Sequence, residues 1–242
     1  MIDRTHIFYR RSFNILLLGQ GGLGKTAIVQ EIVLPTLDYL FPPNEAGTRS
    51  TLIVCAKWSQ AENISTETHK AITFHRAGLM GIRNDFRNST MLPGPKKPAL
   101  VRMWDPRRCL IIEEVSMVDP ALHNMLNYRA FHGRAEKWQV VESEYDKLTG
   151  AFGRMPILLQ LGDFLQPKPV GTNLSLITDL HQLSDTSSIP CEVQQTMRLF
   201  CTTPLCFELQ ASNRFKEPRL RALMDYIRVG GPANEDISKS WS

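Results

Sequence analysis

The sequence predicts an α/β fold, a parallel sheet flanked by helices, and three observations carry that prediction. Four short runs, NILLLG (14–19), TLIVCA (51–56), CLIIEE (109–114) and PILLQLGD (156–163), do not alternate cleanly between apolar and polar residues. Strands buried on both faces of a parallel sheet read this way. Helix-spaced segments separate the runs, and a strand followed by a helix and another strand closes as a right-handed crossover. A glycine-rich turn, GQGGLGKT (19–26), joins the first run to the first helical segment.

Taken in order, KTAIVQEIVL (25–34) places Ala27, Ile28 and Ile32 at helical spacing, with a stop expected near Pro35. The stretch SQAENISTETHKAITFHRAGL (59–79) reads as helix, turn and helix after the second strand. MLPGPKKP (91–98) reads as a surface loop, and 132–150 and 171–190 as insertions or long connections. No internal repeat or low-complexity tract interrupts the chain. The expected organisation is one domain over 1–230 followed by a tail, 231–242.

With 242 residues, 43% hydrophobic and 21% charged, the composition is that of an ordinary globular protein. A net charge of +4 is compatible with a nucleic-acid partner without demanding one. The five cysteines (Cys55, Cys109, Cys191, Cys201 and Cys206) are odd in number and show no CxxC pair. Reduced thiols in a soluble intracellular protein are expected. No apolar stretch approaches a membrane span, and the short N-terminal lead with Asp3 does not read as a signal peptide.

The chemistry starts at the glycines. Gly19, Gly24, Lys25 and Thr26 satisfy GxxxxGK[ST] once, directly after a strand and before a helix. A loose connecting turn is the bland reading. The sharper one is a P-loop, because Gly19, Gly21, Gly22 and Gly24 let successive N–H groups turn inward beside a helix N-terminus, where phosphate is favoured. Lys25 would then reach the β- and γ-phosphates, and Thr26 would offer its hydroxyl to Mg²⁺. Glu113 and Glu114 close the third run, where one carboxylate could hold the metal and the next could orient or deprotonate water. Two acids at a solvated strand edge explain the same pair. Asp163 and Gln166 in LGDFLQP follow the fourth run and should emerge at the same end of the sheet. Gln166 could sense a γ-phosphate through a hydrogen bond, or belong to an ordinary turn.

The motif order resembles the superfamily-one DNA helicases of the Pif and RecD type, and helicase regions of Helitron-type transposons are similar. GQGGLGKT looks like the first motif of that family, LIIEEVSMVDPAL the second, and AFGRMPILLQLGDFLQPKPV the segment ending in GDFxQLPPV. FELQASNRFKEPRLRALMDYIRVG (207–230) resembles the fourth motif, in which an arginine follows a strand. AKWSQAENISTETHKAITFHRA looks like a divergent form of the motif that contacts single strands, with Thr73, Phe74 and His75 as its Thr-x-His. The resemblance spans about residues 14–230. It implies a RecA-like P-loop NTPase domain using ATP and Mg²⁺, with Thr26 and Glu113 at the metal and Glu114 as base. It further implies Gln166 as γ-phosphate sensor, Arg214 as a second γ-phosphate contact, and single-stranded DNA as partner. DNA repair and recombination, and a nuclear location, are implied by the same route.

For the strand itself, backbone charge and base stacking point to Trp58, Thr73 and His75, with Lys57 and Lys70 for phosphate. Phe74 fits a core position as well as a stacking one, and Lys70 a solvated face. Arg107 and Arg108 form a further basic pair that need serve only solubility. His69 and His75 lack cysteine companions and a shared helical face, which argues against a metal site. The sequence departs from the family at Glu113, where aspartate is usual, at Pro167 and Lys168 in place of Leu-Pro, and at Phe215 in place of glutamine. The adenine-reading glutamine upstream of the P-loop is not evident. The second RecA-like domain of such helicases is expected to be absent after the fourth motif, which predicts feeble ATP turnover and no unwinding by these residues alone. Two other readings stay open: a non-catalytic nucleotide- or DNA-binding relic, and a P-loop NTPase of another kind.

Overall fold

Among the described residues, six strands form a single sheet in the order β3-β2-β4-β5-β1-β6, with every neighbouring pair parallel. They are β1 (Phe13–Gly19), β2 (Thr51–Cys55), β3 (Ile72–Thr73), β4 (Cys109–Glu113), β5 (Ile157–Gly162) and β6 (Leu205–Leu209). The computed structural model describes residues 12–81, 96–138, 151–166, 169, 172–180, 183, 186–187, 189–202 and 205–209. The four apolar runs become β1, β2, β4 and β5. β2 and β4 are buried at every position. Side chains then alternate between two cores: Leu52, Val54, Leu110 and Ile112 pack on one face, and Ile53, Cys55, Cys109 and Ile111 on the other. Each such aliphatic burial contributes about 1.5–3 kcal/mol, so these two strands anchor the fold.

The helices lie on both faces. On one side are α1 (Lys25–Ile28), a π turn (Val29–Val33), α2 (Leu34–Leu40) and α3 (Trp58–Ile64), which supply Val29, Leu34, Leu37 and Ile64 to the core. The other face is covered by α4 (Phe74–Ala77), α5 (Lys97–Trp104) and α6 (Pro120–Trp138), with Phe200 of α7 (Cys191–Cys201) reaching the same cluster. Trp104 is fully buried there, and its indole N–H donates to the Ala77 carbonyl at 3.0 Å.

Several local expectations change. The first helix does not stop near Pro35. It widens into the π turn and continues to Leu40 with Pro35 in the first turn of α2, where a proline's missing N–H costs little. The wider turn also rotates the buried face: Val29, Leu34 and Leu37 point inward, while Ala27 and Ile32 are exposed. Between the two helices expected over 59–79, the chain adds β3, whose Ile72 and Thr73 pair with Val54 and Cys55. Lys97 and Pro98, read as loop, begin α5, again with proline at a helix start. Residues 132–138, read as the start of an insertion, continue α6 to Trp138. Arg214, Phe215, Pro167, Lys168 and the tail 231–242 lie outside the described residues.

Candidate functional site

Three neighbouring strands, β4, β5 and β1, release their C-terminal loops side by side, and these loops carry most of the sequence-derived site. In open α/β sheets this edge is where ligands bind. After β1 the chain turns through Gly22 (φ 87°) and Gly24 (φ 89°), left-handed conformations that glycine adopts without strain. Gly19 faces a different constraint, since a Cβ there would lie 3.1 Å from both Leu209 Cβ and Leu23 Cδ1. Lys25 is 5% exposed, and its ammonium donates to the Gly19 and Gln20 carbonyls, the latter at 3.3 Å. The buried cation is thus stored against the turn that a phosphate would occupy.

The acids meet this turn from β4. The Thr26 hydroxyl donates to Glu113 Oε1 at 3.1 Å. Among the described residues, Glu113 Oε2 and Glu114 Oε2 are buried without a hydrogen-bond partner. Burial first, then the neighbouring Glu114 charge, push the Glu113 carboxyl up to about 7. Burial also raises Glu114, partly offset by Lys25. Glu114 sits in the left-handed region (φ 53°, ψ 48°) and starts a short 3₁₀ turn, Val115–Met117. Buried, unsatisfied carboxylate oxygens beside a hydroxyl form a set of hard oxygen donors, and such a set suits Mg²⁺ completed by phosphate oxygens. The residues present fit the metal.

From β5 come Asp163 and Gln166. Gln166 Nε2 donates to Asp163 Oδ2 at 3.5 Å, and a Cβ at Gly21 would lie 3.5 Å from the same Nε2. Gln166 therefore hangs over the P-loop, as its place in the sequence predicts. The structure brings together Gly19, Gly21, Gly22, Gly24, Lys25, Thr26, Glu113, Glu114 and Gln166.

Trp58, Thr73 and His75 stand apart, at the C-terminal ends of β2 and β3 on the same edge of the sheet. Trp58 opens α3 and is 57% exposed, its indole N–H held by Glu62 Oε1 at 2.8 Å. Thr73 caps α4 by accepting from the Arg76 amide. His75 is half-buried, and burial lowers its pKa. Phe74 is fully buried in the core, so its side chain has no free face for a base. Arg107 bonds the Met103, Arg49 and Thr51 carbonyls, a structural role beyond solubility. Lys57 and Lys70 are exposed.

Sequence reasoning passed over Ser116, whose hydroxyl accepts the Asp163 amide at 3.2 Å. The available signal was a small polar residue two positions after Glu114 in an otherwise apolar EEVSMV. It also passed over a buried network in which His123 meets Gln160 at 3.1 Å and Gln160 donates to Asn14 at 3.3 Å. A lone glutamine inside ILLQLG was its only trace.

Among known proteins, the family model described as "AAA domain" matches residues 6–172. The fold is similar to that of the Pif1 helicase from Candida albicans, with a TM-score of 0.62 and 22% identity over 95% of this chain and 43% of that one. It is also similar to Bacteroides Pif1 bound to single-stranded DNA (TM-score 0.52, 16% identity, 93% and 44% covered). A third similar structure is Bacteroides Pif1 in complex with ADP-AlF3 and single-stranded DNA (TM-score 0.51, 18% identity, 95% and 46% covered). The chain thus spans less than half the length of these helicases. No curated protein matches it in sequence. Among the described residues, no helix is long and apolar enough to cross a membrane.

Proposed function

The chain belongs to the AAA domain family, and we propose that it binds ATP with Mg²⁺ on the P-loop and hydrolyses it in response to single-stranded DNA. In this reading it is the nucleotide-binding domain of a helicase of the Pif and RecD type. The observation that carries the reading is the meeting of Thr26 with Glu113 near Lys25, with carboxylate oxygens of Glu113 and Glu114 left unsatisfied. The Bacteroides relative captured with ADP-AlF3 and single-stranded DNA supports it.

Lys25 exchanges its neutral carbonyl acceptors for phosphate oxygens, and a bond charged on both sides outweighs the ammonium–carbonyl bonds it leaves. Thr26 and Glu113 supply oxygens to Mg²⁺, which neutralises phosphate charge when bound. Glu114 accepts a proton from water as the water oxygen bonds to the γ-phosphorus and the bond from that phosphorus to the β-phosphate oxygen breaks, releasing ADP. Burial that raises the Glu114 pKa makes it a better base. Gln166 donates to the γ-phosphate, and Arg214 neutralises charge on the same group. Trp58 stacks on a base, and Thr73 and His75 contact the strand. Unwinding is assigned to an assembly that includes a second RecA-like domain. Roles in DNA repair and recombination, and a nuclear location, accompany the helicase reading.

The test is ATP hydrolysis with and without a single-stranded oligonucleotide. Stimulation that disappears in a folded Lys25→Ala variant supports the proposal. Nucleotide binding with no turnover, stimulated or not, replaces it with a non-catalytic binding protein.

A further inference from the structure

We infer that Ser116 is a positioning residue: its hydroxyl ties the turn carrying Glu114 to the loop carrying Gln166, so that the two move as one body. The inference rests on the nucleotide-site reading above and assigns a role to a residue that touches neither nucleotide nor metal.

The geometry makes the tie specific. Ser116 and Asp163 are both 3% exposed, and the Asp163 amide donates to Ser116 Oγ at 3.2 Å. Asp163 then organises its own loop: its Oδ1 accepts the Leu165 amide at 3.1 Å, its carbonyl accepts the Gln166 amide at 3.0 Å, and its Oδ2 accepts Gln166 Nε2. The contact between turn and loop is also tight in the backbone. A Cβ on Gly162 would stand 3.1 Å from the Ser116 amide nitrogen, 3.1 Å from Val115 Cγ1 and 3.3 Å from Ser116 Oγ. Glu114 enters the same turn in a left-handed conformation, two residues before the Ser116 hydroxyl that meets the Asp163 amide.

Gln166 has somewhere to go. On one side it faces the position of a Cβ on Gly21 of the P-loop; on the other it lines a cavity of about 290 Å³ with Ser116, Phe164 and Asp179. A side chain between a phosphate site and a cavity has room for a second arrangement, and the element it is bonded to decides how far a shift is transmitted. Ser116 is the hydrogen bond through which a γ-phosphate felt at Gln166 reaches Glu114. Loss of the tie leaves the phosphate cradle intact and uncouples the sensor from the base.

The test compares wild type, Ser116→Ala, Ser116→Thr and Gly162→Ala with Mg²⁺ and fluorescent ADP or a non-hydrolysable fluorescent ATP analogue, together with amide hydrogen exchange. In wild type, the triphosphate slows exchange over 114–117 and 163–166 together, and ADP does not. Ser116→Ala keeps ADP affinity within about twofold and loses roughly fivefold of the preference for triphosphate, the scale of one hydrogen bond. Its exchange over 163–166 no longer follows the triphosphate, while 19–26 still does. Ser116→Thr, which keeps the hydroxyl, restores both readouts. Gly162→Ala, which wedges turn from loop with the hydroxyl in place, reproduces the loss and serves if Ser116→Ala does not fold. A wild-type preference and coupled protection retained in Ser116→Ala, or in Gly162→Ala where it must serve, overturn the role of Ser116 alone. A wild type that binds neither nucleotide overturns the reading of the site, and the role of Ser116 with it.

Discussion

Thr26 and Glu113, 87 residues apart in sequence, meet through a 3.1 Å hydrogen bond from the hydroxyl to Oε1, which joins the first turn of α1 to the end of β4. With the second Glu113 oxygen buried and unpaired, the pair is prepared for a cation. Thr26→Val keeps the shape and removes the donor. The expected result is a tenfold or greater loss of Mg²⁺-dependent nucleotide affinity, about 1.4 kcal/mol or more. Titration in EDTA should show little difference from wild type, because the cradle itself is untouched.

Gly133 lies inside α6, where alanine is normally the better helix former by about 1 kcal/mol. Here a Cβ would stand 2.8 Å from Trp104 Cβ and 3.1 Å from the Leu100 carbonyl. Overpacking against α5 outweighs propensity, so Gly133→Ala destabilises the protein by about 1–3 kcal/mol. A lower urea midpoint at unchanged m-value is the expected observation.

Arg154 makes the opposite case. Phe152, Gly153 and Arg154 all have positive φ (49°, 65° and 54°), and Arg134 holds this turn through the Gly153 carbonyl at 2.8 Å and the Arg154 carbonyl at 3.4 Å. Those bonds are to backbone and survive a side-chain change. Arg154→Gly relieves left-handed strain and raises stability by about 1 kcal/mol, seen as a higher thermal midpoint.

His123, on α6, is buried against β5, and burial lowers its pKa from 6.5 to about 4 against the opposing bond that its Nε2–H donates to Gln160 Oε1. The neutral ring is favoured in the folded state. Its stabilisation is fully present above pH 6.5 and is lost as pH falls from 6.5 towards 4, by roughly 3 kcal/mol. His123→Leu removes that pH-dependent component. Wild-type and variant stability curves measured by denaturant at pH 7.5 and pH 4.5 should converge on acidification.

How much of this was legible in the sequence depends on whether a feature is local. The four apolar runs became β1, β2, β4 and β5 because a strand buried on both faces needs no partner to be recognised. The glycine turn and the helix that starts at Lys25 were legible for the same reason: the GxxxxGK[ST] spacing is local to the chain. Pro35 misled because the π turn that accommodates it leaves no mark in composition. β3 is two residues long and exists only through pairing with Val54 and Cys55. Ser116 was silent because its function lies in one bond to an amide 47 residues away. Arg214 could be named only through family resemblance.

The central claim is that a triphosphate and Mg²⁺ sit on the P-loop and that single-stranded DNA is felt there. Its most direct measurement is a titration with fluorescent ATP analogue and Mg²⁺, with and without a single-stranded oligonucleotide, on wild type and Lys25→Ala. Saturable binding that requires Lys25 and tightens when the strand is present is the predicted result. Binding equal in both proteins, or absent in both while both are folded, would contradict it.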